Sequence, residues 1–291
     1  MLTKEEFQKR TQGITLLDGA TGSNLQKAGM PRGCCTEEWI LAHPAQLIAL
    51  QRSYAEAGCQ IIYTPTFQAQ PLALERVNLH KQTETVNAHL AALTRSAAPN
   101  AIVAGDITTL AAFIDSKDPD NFDQMVENYA RQIHGLLDGG ADILVAETLM
   151  YALEAEAILT AADMEGAALT MFSFTMLPDG SLYDGQEAGP VLRTLEEAGA
   201  AAVGFNCVAA DCMTPYLVSK LRRHVKGNLI CKPNAGIPVI GQDGITQYPM
   251  PPHEFSIILQ ECISMGANFI GGCCGTTPAF FVELRKILSN L

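Results

Sequence analysis

Residues 143–149 read Ile143-Leu144-Val145-Ala146-Glu147-Thr148-Leu149. The run is apolar almost without a break until Glu147 and Thr148. A strand with one wet face would alternate apolar and polar side chains. A continuous run fits a strand buried on both faces, the habit of parallel sheets. The pattern recurs at residues 14–20, 60–66, 101–107, 168–175, 201–207, 229–234 and 268–274. Helical periodicity fills the intervals at 44–58, 122–139, 151–164, 190–198, 211–225, 252–265 and 278–288. In the first of these, Leu47, Leu50, Tyr54 and Ala57 recur at spacings of three and four.

Eight strands alternating with helices predict an α/β chain folded as one (β/α)8 TIM barrel domain over residues 1–291. The competing topology is a doubly wound sheet. That fold usually carries fewer strands and a G-x-G-x-x-G loop after the first. Here the first strand runs into Asp18-Gly19-Ala20-Thr21-Gly22-Ser23, which lacks that spacing. No linker rich in Pro, Gly or Ser divides the chain. Residues 29–43 and 179–189 read as the longest irregular stretches. Thr3, followed by Glu6, is a capping-box signature for a short first helix.

Composition narrows the function. Hydrophobic residues make up 48% of the 291, enough for a large core. Net charge is -12 with 19 lysines and arginines, which argues against nucleic acid as a partner. No run approaches the length of a membrane span, and the mixed-charge start has no apolar stretch of a secretory signal. Nine cysteines scattered over a long chain do not suggest a disulfide scaffold. A cytoplasmic location, where thiols stay reduced, is expected.

In a barrel the C-terminal strand ends converge on one mouth. The residues that fall there are polar or sulfur-bearing: Asp18, Thr64, Thr66, Asp106, Glu147, Asn206, Cys207, Lys232, Asn234, Cys273 and Cys274. Cys207 closes the sixth run and the adjacent pair Cys273-Cys274 the eighth. Three thiolates around one zinc ion, at Zn–S distances of about 2.3 Å, would leave one position open, as catalytic zinc sites do. Such a centre would ionise a substrate thiol and leave its sulfur nucleophilic. The alternative is that these are buried, inert cysteines. Cys59, Cys212, Cys231 and Cys262 are expected to be packing residues, and the loop pair Cys34-Cys35 incidental. An amino-acid substrate would need an anionic partner for its ammonium. Asp18 and Glu147 are available, with Asp106 and Asp184 as weaker candidates. Backbone N–H groups of Gly19 and Ala20 could meet a carboxylate. The alternative reading of Glu147 is that it serves only the dipole of the following helix.

Gly204-Phe205-Asn206-Cys207 with Gly271-Gly272-Cys273-Cys274-Gly275-Thr276-Thr277-Pro278 resembles the zinc motifs of the homocysteine S-methyltransferase family. So do Leu17-Asp18-Gly19-Ala20-Thr21-Gly22, Glu147-Thr148 and Lys232-Pro233-Asn234-Ala235-Gly236. The resemblance runs in order over nearly the whole chain and is similar to the homocysteine-binding barrel of cobalamin-dependent methionine synthase. It implies a (β/α)8 barrel with Zn2+ on Cys207, Cys273 and Cys274. It implies that Asp18 and Glu147 meet the homocysteine ammonium, that Gly19 and Ala20 meet its carboxylate, and that Asn234 takes the open zinc position when substrate is absent. Thr66 is a further substrate-binding candidate.

The implied reaction is attack of a zinc-bound thiolate on a donor methyl, forming methionine. The expected donor is a methyl-corrinoid protein as a separate partner, because the chain resembles the methionine synthase barrel and shows no added domain for corrinoid or folate. S-Methylmethionine or a betaine-like onium compound is the alternative donor. Another small thiol as acceptor, or a non-catalytic zinc- or corrinoid-protein-binding subunit, also stays open. Two stretches depart from the family pattern: Thr64-Pro65-Thr66-Phe67, where Thr-Asn-Thr-Phe is common, and Gly105-Asp106-Ile107-Thr108-Thr109-Leu110, where a Gly-Pro-x-Gly turn is usual.

Overall fold

The computed structural model describes residues 1–241 and 246–289. Each apolar run contributes a strand. These are β1 (Thr15–Leu16), β2 (Ile61–Tyr63), β3 (Ile102–Thr108), β4 (Ile143–Leu149), β5 (Thr170–Phe174), β6 (Ala202–Ala209) and β7 (Leu229–Asn234). After a small hairpin of β8 (Val239–Ile240) and β9 (Thr246–Gln247) comes β10 (Phe269–Ile270). The large sheet is parallel throughout, in the order β1-β10-β7-β6-β5-β4-β3-β2. Its two ends meet. Leu17 bridges Ile61, Gln60 N–H donates to the Leu16 carbonyl at 2.7 Å, and Leu16 N–H donates to Gln60 Oε1 at 3.0 Å. The result is a single-domain, nearly closed (β/α)8 barrel.

Strands β4 and β7 match their predicted spans. β1 and β10 are only two residues long, because the chain beyond them leaves the ladder to build the mouth. There Gly271 N–H bonds the Cys231 carbonyl and Gly272 N–H bonds the Asp18 carbonyl. Helices such as Pro44–Ala57, Phe122–Asp138 and Pro252–Ser264 wrap the sheet as expected. Helix Thr83–Ala97 has no counterpart among the predicted helical spans. Its buried face interleaves Val86 and Leu90 with Thr83, Asn87 and Thr94, so the apolar stripe is broken. The 29–43 stretch is also less irregular than expected, since Thr36–Ala42 is helical.

Alternate strand residues point inward or outward. Leu17, Ile61, Ile102, Val145, Met171 and Ile230 fill the barrel interior. Phe7, from the capped helix Lys4–Arg10, joins that interior with its ring 6.0 Å from Phe269. Outward residues such as Val103, Leu144, Phe172 and Leu229 are also fully buried. Each such side chain stabilises the fold by about 1.5–3 kcal/mol.

β6 and β7 approach so closely that a Cβ at Gly204 would overlap the Ile230 carbonyl oxygen and sit 2.7 Å from its amide nitrogen. Neither backbone atom can move without breaking the ladder. Gly204→Ala should therefore lower stability by about 2–3 kcal/mol or more. A urea unfolding midpoint equal to the wild type would contradict that close approach.

Candidate metal and substrate site

The inward alternation continues past the apolar filling towards the C-terminal strand ends. It brings Tyr63 on β2, Asp106 on β3, Glu147 on β4, Ser173 on β5, Asn206 on β6 and Lys232 on β7 into one buried polar layer. A cavity of ≈ 260 Å³ opens above it, and its lining includes Asp18, Asp106, Glu147 and Lys232 together with Cys207, Cys273 and Cys274. Two larger hollows, ≈ 690 and ≈ 560 Å³, lie on outer helices and at the opposite end of the barrel, and hold none of these residues.

Cys207, Cys273 and Cys274 bring their sulfurs within 4.8 Å of one another. In a tetrahedral zinc site the sulfurs would stand about 3.8 Å apart. Small side-chain adjustments therefore suffice, and the all-sulfur donor set suits a soft divalent ion. Hydrogen bonds from Cys207 and Cys273 draw the Cys274 thiol down to about 3, while the same shared bonds and burial push Cys207 up.

Backbone distortion aims these groups. Cys207 has φ +57° and Thr148 φ +61°, the left-handed region that a β-branched residue strongly avoids. Both lie where strand register slips, between Ala146 and Leu149 and between Asn206 and Ala209. Asn206 holds the distortion in place. Its Oδ1 accepts from Thr148 N–H at 2.7 Å and from Ser173 Oγ at 3.0 Å. Its Nδ2 donates to Thr148 Oγ1 at 2.7 Å and reaches Glu147 Oε2 at 3.4 Å and Cys273 Sγ at 3.9 Å. Asn234 clamps both cysteine arms. Its Nδ2 donates to the Cys207 carbonyl at 3.1 Å, and Cys274 N–H donates to its Oδ1 at 3.0 Å.

On the carboxyl side, Glu147 Oε2 accepts from Lys232 Nζ at 3.1 Å, with the two side chains 10% and 3% exposed. Lys232 also lies 4.7 Å from the Tyr63 ring centroid. Burial works against the Lys232 charge. Glu147, Cys273 and Asp18 outweigh it and hold the ammonium well above its usual range. Burial raises Glu147, and Lys232 opposes that rise. Asp18 Oδ2 accepts from Tyr63 N–H at 2.9 Å, and burial pushes this carboxyl up to about 7 against the pull of Lys232. Burial and the Glu147 charge push Asp106 well above the carboxylate range.

Some predicted residues fall elsewhere. Thr66 is buried but does not line the cavity, because its hydroxyl donates to the Asp106 carbonyl at 2.7 Å and lies 2.6 Å from Thr64 Oγ1. Ala20 lines the cavity, yet its N–H donates to Thr276 Oγ1 at 3.2 Å. Gly19 also lines it. Asp184 is exposed in a turn, bonded to Gln186 N–H. Cys59, Cys231 and Cys262 are buried as expected, whereas Cys212 is exposed rather than packed. Lys232 and Asn206 received no role from the sequence beyond their positions at strand ends. Their signal was the polar interruption of an apolar run at an inward position. The first of the two glycines preceding the cysteine pair is also required by space: a Cβ at Gly271 would lie 2.9 Å from both Leu17 Cβ and Lys232 Cγ.

Fold and site together define a parallel barrel enzyme class with a three-cysteine centre beside an acidic, amino-acid-sized cavity. The family model for homocysteine S-methyltransferase matches residues 15–288, and the chain belongs to that family. Among solved structures it is similar to the Escherichia coli homocysteine methyltransferase MmuM in its metallated form. That match has 25% identity and a TM-score of 0.81, covering 98% of this chain and 100% of that one. Curated relatives include the methionine synthases of Mycobacterium tuberculosis and Mycobacterium leprae. Each is 28% identical, over 97% and 96% of this chain but only 25% and 24% of the relative. The chain thus spans about a quarter of the length of those relatives. The carboxyl transferase domain of Rhizobium etli pyruvate carboxylase, at 13% identity and a TM-score of 0.54, shares the fold alone. Among the described residues no helix is long and apolar enough to cross a membrane.

The Lys232–Glu147 pair has a measurable consequence. Removing one partner of a buried ion pair costs about 3–5 kcal/mol. Lys232→Met should destabilise the protein by that order at pH 8. The loss should shrink towards pH 5, because the unpaired Glu147, raised further by burial, binds a proton in the folded state before it does in the unfolded one. Urea titrations at the two pH values check this; a loss that is the same at both would contradict an ionised pair.

Proposed function

We propose that the chain is a zinc-dependent homocysteine methyltransferase that forms methionine, with a methyl-corrinoid protein as donor. The observation that carries this reading is the three-sulfur cluster and the buried carboxyls lining one small cavity. Cys207, Cys273 and Cys274 would hold the ion and leave one position open. Zinc bound there would supply an ionised substrate thiol at neutral pH. Asp18 offers its inward oxygen to the substrate ammonium. Gly19 carries the carboxylate reading better than Ala20, whose amide is engaged by Thr276. Asn206 and Asn234 fix the thiol arms relative to the carboxyls, so the two ends of one amino acid are held in a set geometry. Such placement supplies much of the rate in a two-reactant transfer. The sulfur–carbon bond forms as the donor–methyl bond breaks, and the donor leaves with the electron pair.

The mycobacterial relatives named methionine synthase support the corrinoid donor. One observation favours a small onium donor such as S-methylmethionine instead: the solved chain of the E. coli homocysteine methyltransferase is matched over 100% of its length, so no second domain accompanies the barrel in that chain. Methionine formed from a methyl-corrinoid protein but not from S-methylmethionine is the expected result. Formation only from the onium compound would reverse the choice. Another thiol as acceptor, or a non-catalytic binding subunit, would show in calorimetry as absence of homocysteine binding.

Metal content tests the cysteine centre directly. The purified protein should carry about one zinc per chain, and Cys273→Ser should lose most of it. Undiminished zinc in that variant would exclude Cys273 as a ligand.

A further inference from the structure

The cavity holds more acid than its one lysine can balance. Asp18, Asp106 and Glu147 place three buried carboxyls around Lys232. Lys232 is committed to Glu147 at 3.1 Å, and Asn206 Nδ2 approaches the same oxygen at 3.4 Å. Glu147 is therefore already partnered. Asp18 and Asp106 each keep one oxygen unsatisfied: Oδ1 of each is buried without a hydrogen-bond partner.

Asp106 is only 4% exposed and lines the cavity. Its backbone is fixed on both sides. Its N–H donates to Thr64 Oγ1 at 2.8 Å, and its carbonyl accepts from Thr66 Oγ1 at 2.7 Å and Gln132 Nε2 at 3.2 Å. Asp18 is bonded to Tyr63 N–H, one residue before Thr64, so the two carboxyls flank the end of β2. A buried carboxyl oxygen with no partner is unfavourable, and fixed groups of this kind point to a ligand that completes them.

We propose that Asp106 is a specificity-determining binding residue which, together with Asp18, receives the α-ammonium of the acceptor thiol while Glu147 remains paired with Lys232. An ammonium carries three donors and one positive charge. It offers donors to both orphaned oxygens and a positive charge that favours the ionised form of carboxyls that burial opposes. A thiol acid without the amino group does neither. The proposal rests on the homocysteine reading of the site.

Calorimetric titration of the zinc-loaded protein with homocysteine and with 4-mercaptobutanoate, which has the same thiol and carboxylate but no ammonium, tests it. Asp106→Asn removes the ionisable carboxyl at nearly constant shape and breaks no hydrogen bond of Oδ1; Asp106→Ser is the second variant. Both should keep their zinc and melting temperature. Both should bind homocysteine about tenfold or more weaker, with 4-mercaptobutanoate bound as well as by the wild type or better. Homocysteine affinity within about twofold of wild type, or equal weakening of both thiols, would overturn the role of Asp106. Wild-type protein that binds no homocysteine would overturn the homocysteine reading itself, and this proposal with it.

Discussion

A closed ring of parallel strands allows each strand only two side-chain directions, and this constraint shapes everything at the mouth. Once Ile61, Ile102, Val145, Met171 and Ile230 fill the interior, later inward positions must stack above them. The chain places Tyr63, Asp106, Glu147, Asn206 and Lys232 there. Groups remote in sequence become neighbours without any loop having to bring them together. The apolar floor beneath them keeps water out, and so makes each charge in the layer matter more than it would at the surface.

That setting explains the density of hydrogen bonds between the two halves of the site. Asn206 touches Glu147, Thr148, Ser173 and the Cys273 sulfur. Asn234 ties the Cys207 and Cys274 backbones. Two side-chain amides thus hold two residues in left-handed backbone conformations, each unfavourable by about 1–3 kcal/mol alone. The strain is local and lies where the strands must turn functional groups towards the cavity.

Much of this was legible in the sequence. The unbroken apolar runs gave eight strands in their order. The polar residues ending those runs marked the mouth, including both thiol arms, Asp18 and Glu147. What could not be read was orientation. Thr66 and Asn234 end strands as Glu147 does, yet the hydroxyl and amide of these two serve backbone groups. Lys232 was placed at the mouth without a role, which its partner on β4, 85 residues away in the chain, supplies. Helix Thr83–Ala97 escaped the predicted helices for a related reason. Its polar inward residues bond individually, Asn87 Nδ2 to the Ala69 and Thr83 carbonyls and Thr94 Oγ1 to the Leu90 carbonyl, and no apolar period records that.

The seam between β1 and β2 joins architecture to chemistry. β1 pairs with β10 over two residues, but towards β2 it relies on one bridge, the two bonds of Gln60 and the carboxyl of Asp18 on Tyr63 N–H. The last of these stitches is made by a group that lines the cavity. Breathing of the barrel at this thinnest join would therefore shift Asp18, and ligand occupancy that steadied Asp18 would in turn hold the ring shut. In a molecule built this way, the slowest-exchanging amides near Tyr63 and the occupancy of the pocket report on one and the same equilibrium.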